Sequence, residues 1–378
     1  MKKILFISSS RADYGLLRDV ILETQKINRE TYLMVTGSHL SASFGNTISE
    51  IKKDRIKNII IKKLLDKKFN DRDVSNYASK SIKLTAEVIF KIKPNVVVLL
   101  GDRYELLGSA IAAMIFRIPI AHIHGGEVTQ GAYDDSIRHS ITKMAHLHFP
   151  IHDQYKKRLI QLGENPKAIF NYGGLGAHSI SKSKLLNKSN LEKLLKISLE
   201  KKIVLVTFHP VTLEKNSSEF QIKNLIKFLN SLKDMTIIIT SSNFDNENNI
   251  IKKELLKFSK KKKTYYFNSL GNSAYISLMK LAYLVIGNSS SGVLETPSFG
   301  TNTINIGNRQ KGRIISKNII NCGYSYASIR AAFIQINKNN NKNNKKIINP
   351  FLKKNTPNKI AKKILNFKYE LKKQFYDI

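Results

Sequence analysis

At 378 residues and 42% hydrophobic composition, the chain can bury a large core, and its length points to two domains rather than one. The formal charge of +35 admits a nucleic-acid partner. However, the excess is mostly lysine spread along the chain among many isoleucines and asparagines, and Lys261-Lys262-Lys263 has no interleaved aromatics, so solvated faces are the stronger reading. The same field favours an anionic small substrate.

No apolar run approaches the roughly 20 residues that cross a bilayer. Ile4-Leu5-Phe6-Ile7 is too short for a signal peptide's apolar region. A cytoplasmic location is the default expectation for a chain whose one cysteine, Cys322, cannot form an internal disulfide.

The N-terminal half reads as strands alternating with helices. Lys3–Ser8 is a short buried strand. Ser9-Ser10-Arg11-Ala12-Asp13-Tyr14-Gly15 follows as a loop, then a helix over Leu16–Ile27. Thr31–Thr36 is the next strand and ends in Gly37-Ser38-His39. Asn95–Leu100 is a buried strand, Tyr104–Phe116 a buried helix and Ile118–Ile123 a strand. Asp134–His148 reads as a helix, with Asp134 and Asp135 at its positive end, where capping is their plain structural role.

A second α/β unit begins near Ile203. Ile203–Phe208 is a strand ending in His209-Pro210. Met235–Ser241 is a strand followed by Ser242-Asn243. Leu284–Gly287 is a strand that runs into Asn288-Ser289-Ser290-Ser291-Gly292 and a short helix carrying Glu295. Asn302–Ile306 precedes a loop with Arg309 and Arg313. Asn337–Lys346 is a low-complexity loop, and Lys359–Tyr376 is a basic final helix.

This alternation predicts α/β domains with parallel, doubly wound sheets, in which ligands bind beyond the carboxyl ends of the strands. Arg11, His39, Asp102 and His124 each follow a predicted strand and are expected to share one crevice. Five of the nine histidines lie between Gly101 and His148, which raises a metal reading. A zinc site needs three or four converging ligands, and His146 and His148, two apart on a helix, would diverge. No metal and no cofactor are therefore expected.

The Asn-Ser-Ser-Ser-Gly turn is either a plain turn or a phosphate cradle at a helix start. Arg11, Arg103, Arg309 and Arg313 favour the second, because guanidinium groups bind a diphosphate bidentately. His209 is either a hydrogen-bonded structural histidine or a proton donor or phosphate ligand. Walker and Rossmann glycine fingerprints are missing, which weakens kinase and dehydrogenase readings.

At SRADYGLL, GDRYE, HIHGGE, DDSIRHSITKMAHLH, FHPVTLE, GNSSSGVLE and INIGNRQKGR the chain resembles the hydrolysing UDP-N-acetylglucosamine 2-epimerases. The resemblance is greatest to the bacterial branch that supplies sialic-acid and legionaminic-acid pathways. It implies two Rossmann-like domains facing across a cleft, the GT-B arrangement. These are an N-terminal domain over 1–178, a nucleotide-binding domain over 187–355, and a helix over 356–378 that returns to the first. It implies a UDP-sugar substrate, with UDP-N-acetylglucosamine first and UDP-2,4-diacetamido-2,4,6-trideoxyglucose as the alternative. A glycosyltransferase of the same architecture is the more distant reading, and a homodimer or homotetramer is the implied assembly.

Carried over by motif, Asp102, Asp134 and His209 match acid/base positions. Arg11, Arg103, Ser289, Ser290, Glu295 and Arg309 match nucleotide-binding positions, with Asn243 a further candidate. Many relatives have a glutamate where this chain has His124, so either His124 or Glu127 takes that role. Some also have Ser-Lys where Gly15-Leu16 stand here, which leaves more of the diphosphate to the arginines.

Overall fold

The protein is described by a computed structural model, in which residues 1–40, 47–64, 71–129, 133–211, 214, 217–241, 248–340 and 347–378 are placed. The chain divides into two compact units. One comprises Met1–Glu127, Asp134–Ser179 and Lys353–Ile378. The other comprises Ile180–Leu352 with Val128, Thr129 and Tyr133.

The first unit is built on β1 (Ile4–Ser8), β2 (Thr31–Val35), β3 (Asn58–Ile61), β4 (Val96–Leu100), β5 (Ile120–Ile123) and β6 (Leu147–Phe149). They form one parallel sheet in the order β3-β2-β1-β4-β5-β6. The sequences ILFIS and VVVLL of β1 and β4 are apolar throughout because both faces of a parallel sheet are covered by helices. Alternate side chains point to opposite faces. Ile4 and Phe6 pack with the helices Arg11–Ile27 and Thr356–Asn366. Leu5 and Ile7 pack with the helices Asp71–Ile92, Tyr104–Ile115 and Asp134–Met144.

The second unit repeats the plan with β7 (Lys202–Thr207), β8 (Met235–Thr240), β9 (Thr264–Phe267), β10 (Leu284–Gly287), β11 (Thr303–Ile306) and β12 (Ile319–Cys322). Their order is β12-β11-β10-β7-β8-β9, again all parallel. Val204 and Val206 face one core, and Ile203 and Leu205 the other. Read from either end, both sheets have the doubly wound order in which the winding reverses at the first strand. Both parallel α/β sheets expected from the sequence are present. Cys322 ends β12, and burial pushes its thiol up to about 12.

Four expected elements differ. In Asn337–Lys346, expected as a loop, residues Asn337–Asn340 instead close the helix Tyr326–Asn340. The first helix starts at Arg11, not Leu16, because Ser10 and Asp13 form a reciprocal capping box. Arg11 and Asp13 therefore lie in its first turn rather than in a loop. The helix from Asp134 ends at Met144, and Leu147-His148-Phe149 is an edge strand whose His148 pairs in register with His122. The argument from His146 and His148 on one helix therefore fails. The apolar spacing of this segment suits a helix, but its alternating end feeds the sheet. The final helix spans only Thr356–Asn366. After it, Phe367 and Tyr369 pack on the first unit's core, so the tail follows the surface instead of continuing a helical face.

That tail is tied down by charge. Glu164 is buried, 2.9 Å from His148 Nε2, 3.0 Å from Lys143 Nζ and 2.6 Å from Lys373 Nζ. Lys373 also donates to the carbonyls of Lys143 and Ala145, both at 2.7 Å, which end the helix begun at Asp134. Burial alone would raise the Glu164 carboxyl, but His148 and Lys373 outweigh it and hold it at about 2. This folded value lies below the unfolded one, so the contribution is present above about pH 4.3 and is lost as pH falls toward 2. Lys373→Met is expected to cost on the order of 2 kcal/mol at neutral pH and to flatten the acid loss. Urea midpoints at pH 7 and pH 3 check this, and parallel acid losses in the two proteins would contradict it.

Candidate active site

In a sheet of this order, ligands bind where the winding reverses, beyond the carboxyl ends of the strands. In the first unit that point lies between β1 and β4, and in the second between β7 and β10.

In the first unit, β4 ends at Leu100, and Gly101 (φ +88°) turns the chain so that Asp102 follows directly. The Asp102 carboxylate Oδ2 meets Arg138 Nη2. Arg138 is 1% exposed, yet its guanidinium also donates to Asp135 Oδ1 at 2.7 Å and to the Glu127 carbonyl at 2.9 Å. Burial opposes the charge, but Asp102, Glu127 and Asp135 outweigh it and push the group above its usual range. Arg138 thereby ties the β4 loop, the β5 loop and the helix Asp134–Met144 into one constellation. Asp134 opens that helix and is half-buried.

The β5 loop carries the other acid/base candidates. His124 follows β5 with φ +68°, a left-handed conformation uncommon for a residue with a side chain. Its backbone N–H donates to Phe149 O at 3.0 Å. Its Nδ1 lies 2.8 Å from Glu127 Oε1. Gly126 (φ +79°) makes this turn possible, since a Cβ there would stand 2.5 Å from the Tyr155 carbonyl oxygen. His122, fully buried, bonds Gly101 O at 2.8 Å through Nε2 and Thr142 Oγ1 at 3.2 Å through Nδ1. Burial holds it near 3, so it is a neutral structural histidine.

The other predicted members of this crevice are engaged differently. His39 is fully buried and bonds Ser8 Oγ at 2.9 Å and Thr47 Oγ1 at 2.7 Å, beneath the loop rather than facing outward. With Ser8 and Ser9 it braces buried Asp13. Burial would raise the Asp13 carboxyl, and these bonds hold it below the usual carboxylate range. Arg11 pairs with Glu50 at 3.2 Å. Arg103 binds Glu105 through two nitrogens, at 3.1 and 3.2 Å, with its guanidinium 5.4 Å from the Tyr104 ring centre.

In the second unit, the switch point is closed by Gly287 (φ +144°), where a Cβ would come within 1.9 Å of the Thr207 carbonyl oxygen. Only glycine lets β10 meet the end of β7 this closely. Next to it, Asn288 is fully buried. Its side chain accepts from His209 N at 2.7 Å and donates to His209 O at 2.8 Å. Its carbonyl accepts from Gln310 Nε2 at 2.9 Å and Arg309 Nη1 at 3.2 Å. Asn288 therefore fixes His209 and Arg309 about one point. Burial, and secondarily Arg309, hold His209 well below its usual value, so its ring is neutral at pH 7.

Ser289 caps the short helix Ser290–Leu294, and Glu295 ends it. Ser291 Oγ lies 2.6 Å from Tyr275 Oη, and burial raises that phenol. Burial pushes the Glu295 carboxyl up to about 7. Thr207, Tyr275, Gly287 and Ser289 line a small recess here.

The structure thus brings Asp102, Glu127 and His124 together through contacts centred on Arg138, and brings His209 and Arg309 together through Asn288. Asn243 lies outside the described residues. Sequence reasoning missed Arg138 and Gln310, and it placed Asn288 in the candidate phosphate turn without its bonds to His209. Arg138 stands three residues after Asp135 and four after Asp134, a spacing that places it on their helix face. Among the described residues, no group of three His, Cys, Asp or Glu side chains converges as a metal site, and no helix is long and apolar enough to cross a membrane.

Each of the two parallel, doubly wound sheets thus has polar groups gathered beyond the ends of its strands. The family model described as UDP-N-acetylglucosamine 2-epimerase matches residues 22–365, and the chain belongs to that family. It is 44% identical to the Campylobacter jejuni GDP/UDP-N,N'-diacetylbacillosamine 2-epimerase (hydrolyzing), over 84% of each chain. It is 39% identical to the Escherichia coli polysialic acid biosynthesis protein P7, over all of this chain and 98% of that one. Its fold matches the Neisseria meningitidis UDP-GlcNAc 2-epimerase bound to UDP-GlcNAc with a TM-score of 0.79 at 16% identity, over 96% of this chain and 100% of that one.

Proposed function

We propose that the protein is a hydrolysing 2-epimerase of a UDP-linked 2-acetamido sugar, releasing UDP and the free manno-configured sugar. The C2 proton of such a sugar is not acidic, since no carbonyl adjoins it. It can leave when its electron pair forms the C1=C2 bond as the C1–O bond breaks onto the diphosphate. Water then adds to the glycal, its hydroxyl at C1 and a proton at C2 from the opposite face. This needs bases at C2 and charge stabilisation at the diphosphate.

The observation that carries the reading is the group around Arg138, a buried cation ordering Asp102, Asp135 and the Glu127 backbone beside His124. Asp102, Asp134, His209 and the His124–Glu127 turn are the proposed proton-transfer groups. Arg11, Arg103, Ser289, Ser290, Arg309 and Asn243 are proposed for the nucleotide diphosphate, and Glu295 for the ribose hydroxyls.

For the sugar, the 44% identity to a diacetylbacillosamine enzyme favours UDP-2,4-diacetamido-2,4,6-trideoxyglucose. UDP-N-acetylglucosamine is the second reading, favoured by the family description. Incubating purified protein with each UDP-sugar in water alone tests both. UDP release without an acceptor is expected, fastest with the diacetamido sugar. Faster release from UDP-N-acetylglucosamine would reverse the order. Release only in the presence of a sugar acceptor would make the protein a glycosyltransferase.

Glu295 gives a separate handle. An ionised carboxylate accepts from both ribose hydroxyls, and its protonated form does so poorly. With the carboxyl near 7, uridine affinity is expected to fall several-fold between pH 8 and pH 6, and Glu295→Gln to remove this dependence. Uridine is the right probe because it carries no titrating phosphate. Calorimetric titration showing pH-independent uridine binding in the unsubstituted protein would count against the assignment.

A further inference from the structure

The last residues of the first unit hold the far ends of two helices whose near ends shape the site after β4 and β5. The helix Asp134–Met144 opens with Asp134 and Asp135 and carries Arg138. A helix C-terminus gathers carbonyls short of intrahelical donors at the negative end of the helix dipole, where a cation is favoured. The Lys373 ammonium sits there and donates to the carbonyls of Thr142 at 3.2 Å, Lys143 at 2.7 Å and Ala145 at 2.7 Å. The His146 ring, just beyond this helix, bonds the Leu371 backbone.

The helix Asp153–Gln161 stands in the same relation to the β5 turn. Arg158 donates to Gly126 O, and a Cβ at Gly126 would lie only 3.1 Å from Leu159 Cγ. At its far end the chain turns at Gly163 (φ +79°), and the Phe375 ring occupies the space a side chain would take. A Cβ at Gly163 would lie 2.3 Å from Phe375 Cε2. The Tyr376 N–H donates to Gly163 O at 3.0 Å. Lys143 joins the two helix ends, with Nζ 2.8 Å from Leu162 O and 4.8 Å from the Phe375 ring centre. Buried Glu164 pairs with both Lys143 and Lys373.

We infer that Leu371–Tyr376 is a brace that sets where these two helices lie along their axes, and that Lys373 is a positioning residue for Arg138 and, through it, for Asp102. The 11 residues of Asp134–Met144 form a rod of about 15 Å, so a slip at its C-terminus is carried to its N-terminal half. There Arg138 must meet Asp102, Asp135 and the Glu127 carbonyl at once. A misplacement of about 1 Å at a reacting group can cost on the order of 10²-fold in rate. The effect on turnover rests on the epimerase reading above, whereas the effect on Arg138 does not.

Two measurements test this. The first is proton–nitrogen correlation on arginine-labelled protein without substrate, with the Arg138 signals identified by their loss in Arg138→Lys. A guanidinium gripped by three acceptors rotates slowly and gives separate Nη signals. Lys373→Met is expected to shift and average them, and Lys373→Arg to restore them. Lys372→Met, which removes the same charge from an exposed neighbour, is expected to leave them in place. A role in stability alone leaves the spectrum of the folded state as it was, so unchanged Arg138 signals in Lys373→Met would overturn the inference whatever reaction the protein performs.

The second is steady-state kinetics of the folded variant on the UDP-sugar that is turned over. Expected for Lys373→Met are a kcat lower by about 10-fold, with KM and uridine affinity within about threefold, and recovery in Lys373→Arg. A kcat within twofold, or a loss carried by KM, would overturn it. Should Lys373→Met not fold, Phe375→Ala carries both tests. Its ring is 63% exposed, and the Lys373–Glu164 pair stays in place. Changes of the same direction are expected in that variant, and no change in either readout would overturn the brace. Absence of turnover by the unsubstituted protein would instead refute the epimerase reading and leave the Arg138 result standing.

Discussion

Asp102→Asn is expected to lower turnover by about 10³-fold or more while leaving uridine binding unchanged within about twofold. The substitution preserves shape. Its amide oxygen can still accept from Arg138, and Asp135 and the Glu127 carbonyl still hold the other guanidinium nitrogen. What is lost is the charge and the ability to take up a proton at the end of β4. The asparagine also removes one of the charges that offset the burial of Arg138, so some stability is lost with it, less than for a fully buried pair because Asp102 is 26% exposed. Steady-state kinetics with a melting curve on the same sample separates the two effects. Turnover within tenfold of the unsubstituted protein would remove Asp102 from the catalytic set.

Arg138→Met is expected to damage both stability and activity. It removes a cation from between two carboxylates and a buried carbonyl, and breaking such a pair by deleting one partner costs about 3–5 kcal/mol when fully buried. Asp102 and Asp135 are each about one quarter exposed and can recover some hydration, so the lower part of that range is expected. Turnover should fall by about 10²-fold or more, because the β4 and β5 loops lose their common anchor. Arg138→Lys should restore part of the stability but little activity, since one ammonium cannot reproduce a planar fork reaching three acceptors. Urea denaturation and kcat/KM check both variants. An Arg138→Met protein that is fully active and equally stable would show the guanidinium to be incidental.

Much of the fold could be read from the chain because parallel strands buried on both faces are short, continuous apolar runs. ILFIS, VVVLL, KIVLVT and LVIG stand out for that reason. Edge strands were harder. NIII at Asn58–Ile61 is half-exposed, and LHF at Leu147–Phe149 continues a helical apolar spacing until the chain turns into the sheet. The titratable site residues were legible because Asp102, His124 and His209 follow strand ends. Arg138 was not, since an arginine on an amphipathic helix reads as solvent-facing, and only the tertiary contacts show three acceptors converging on it. Asn288 and Gln310 carry neither charge nor periodic signal. Their role rests on the backbone of His209 and on the Asn288 carbonyl, which a sequence does not display.

The central claim is the elimination and rehydration at C2. Proton NMR of the reaction in D₂O, run with each UDP-sugar, tests it most directly. The expected result is UDP together with a free manno-configured sugar carrying deuterium at C2. A free sugar that keeps the gluco configuration, or a manno product still protonated at C2, would contradict the mechanism.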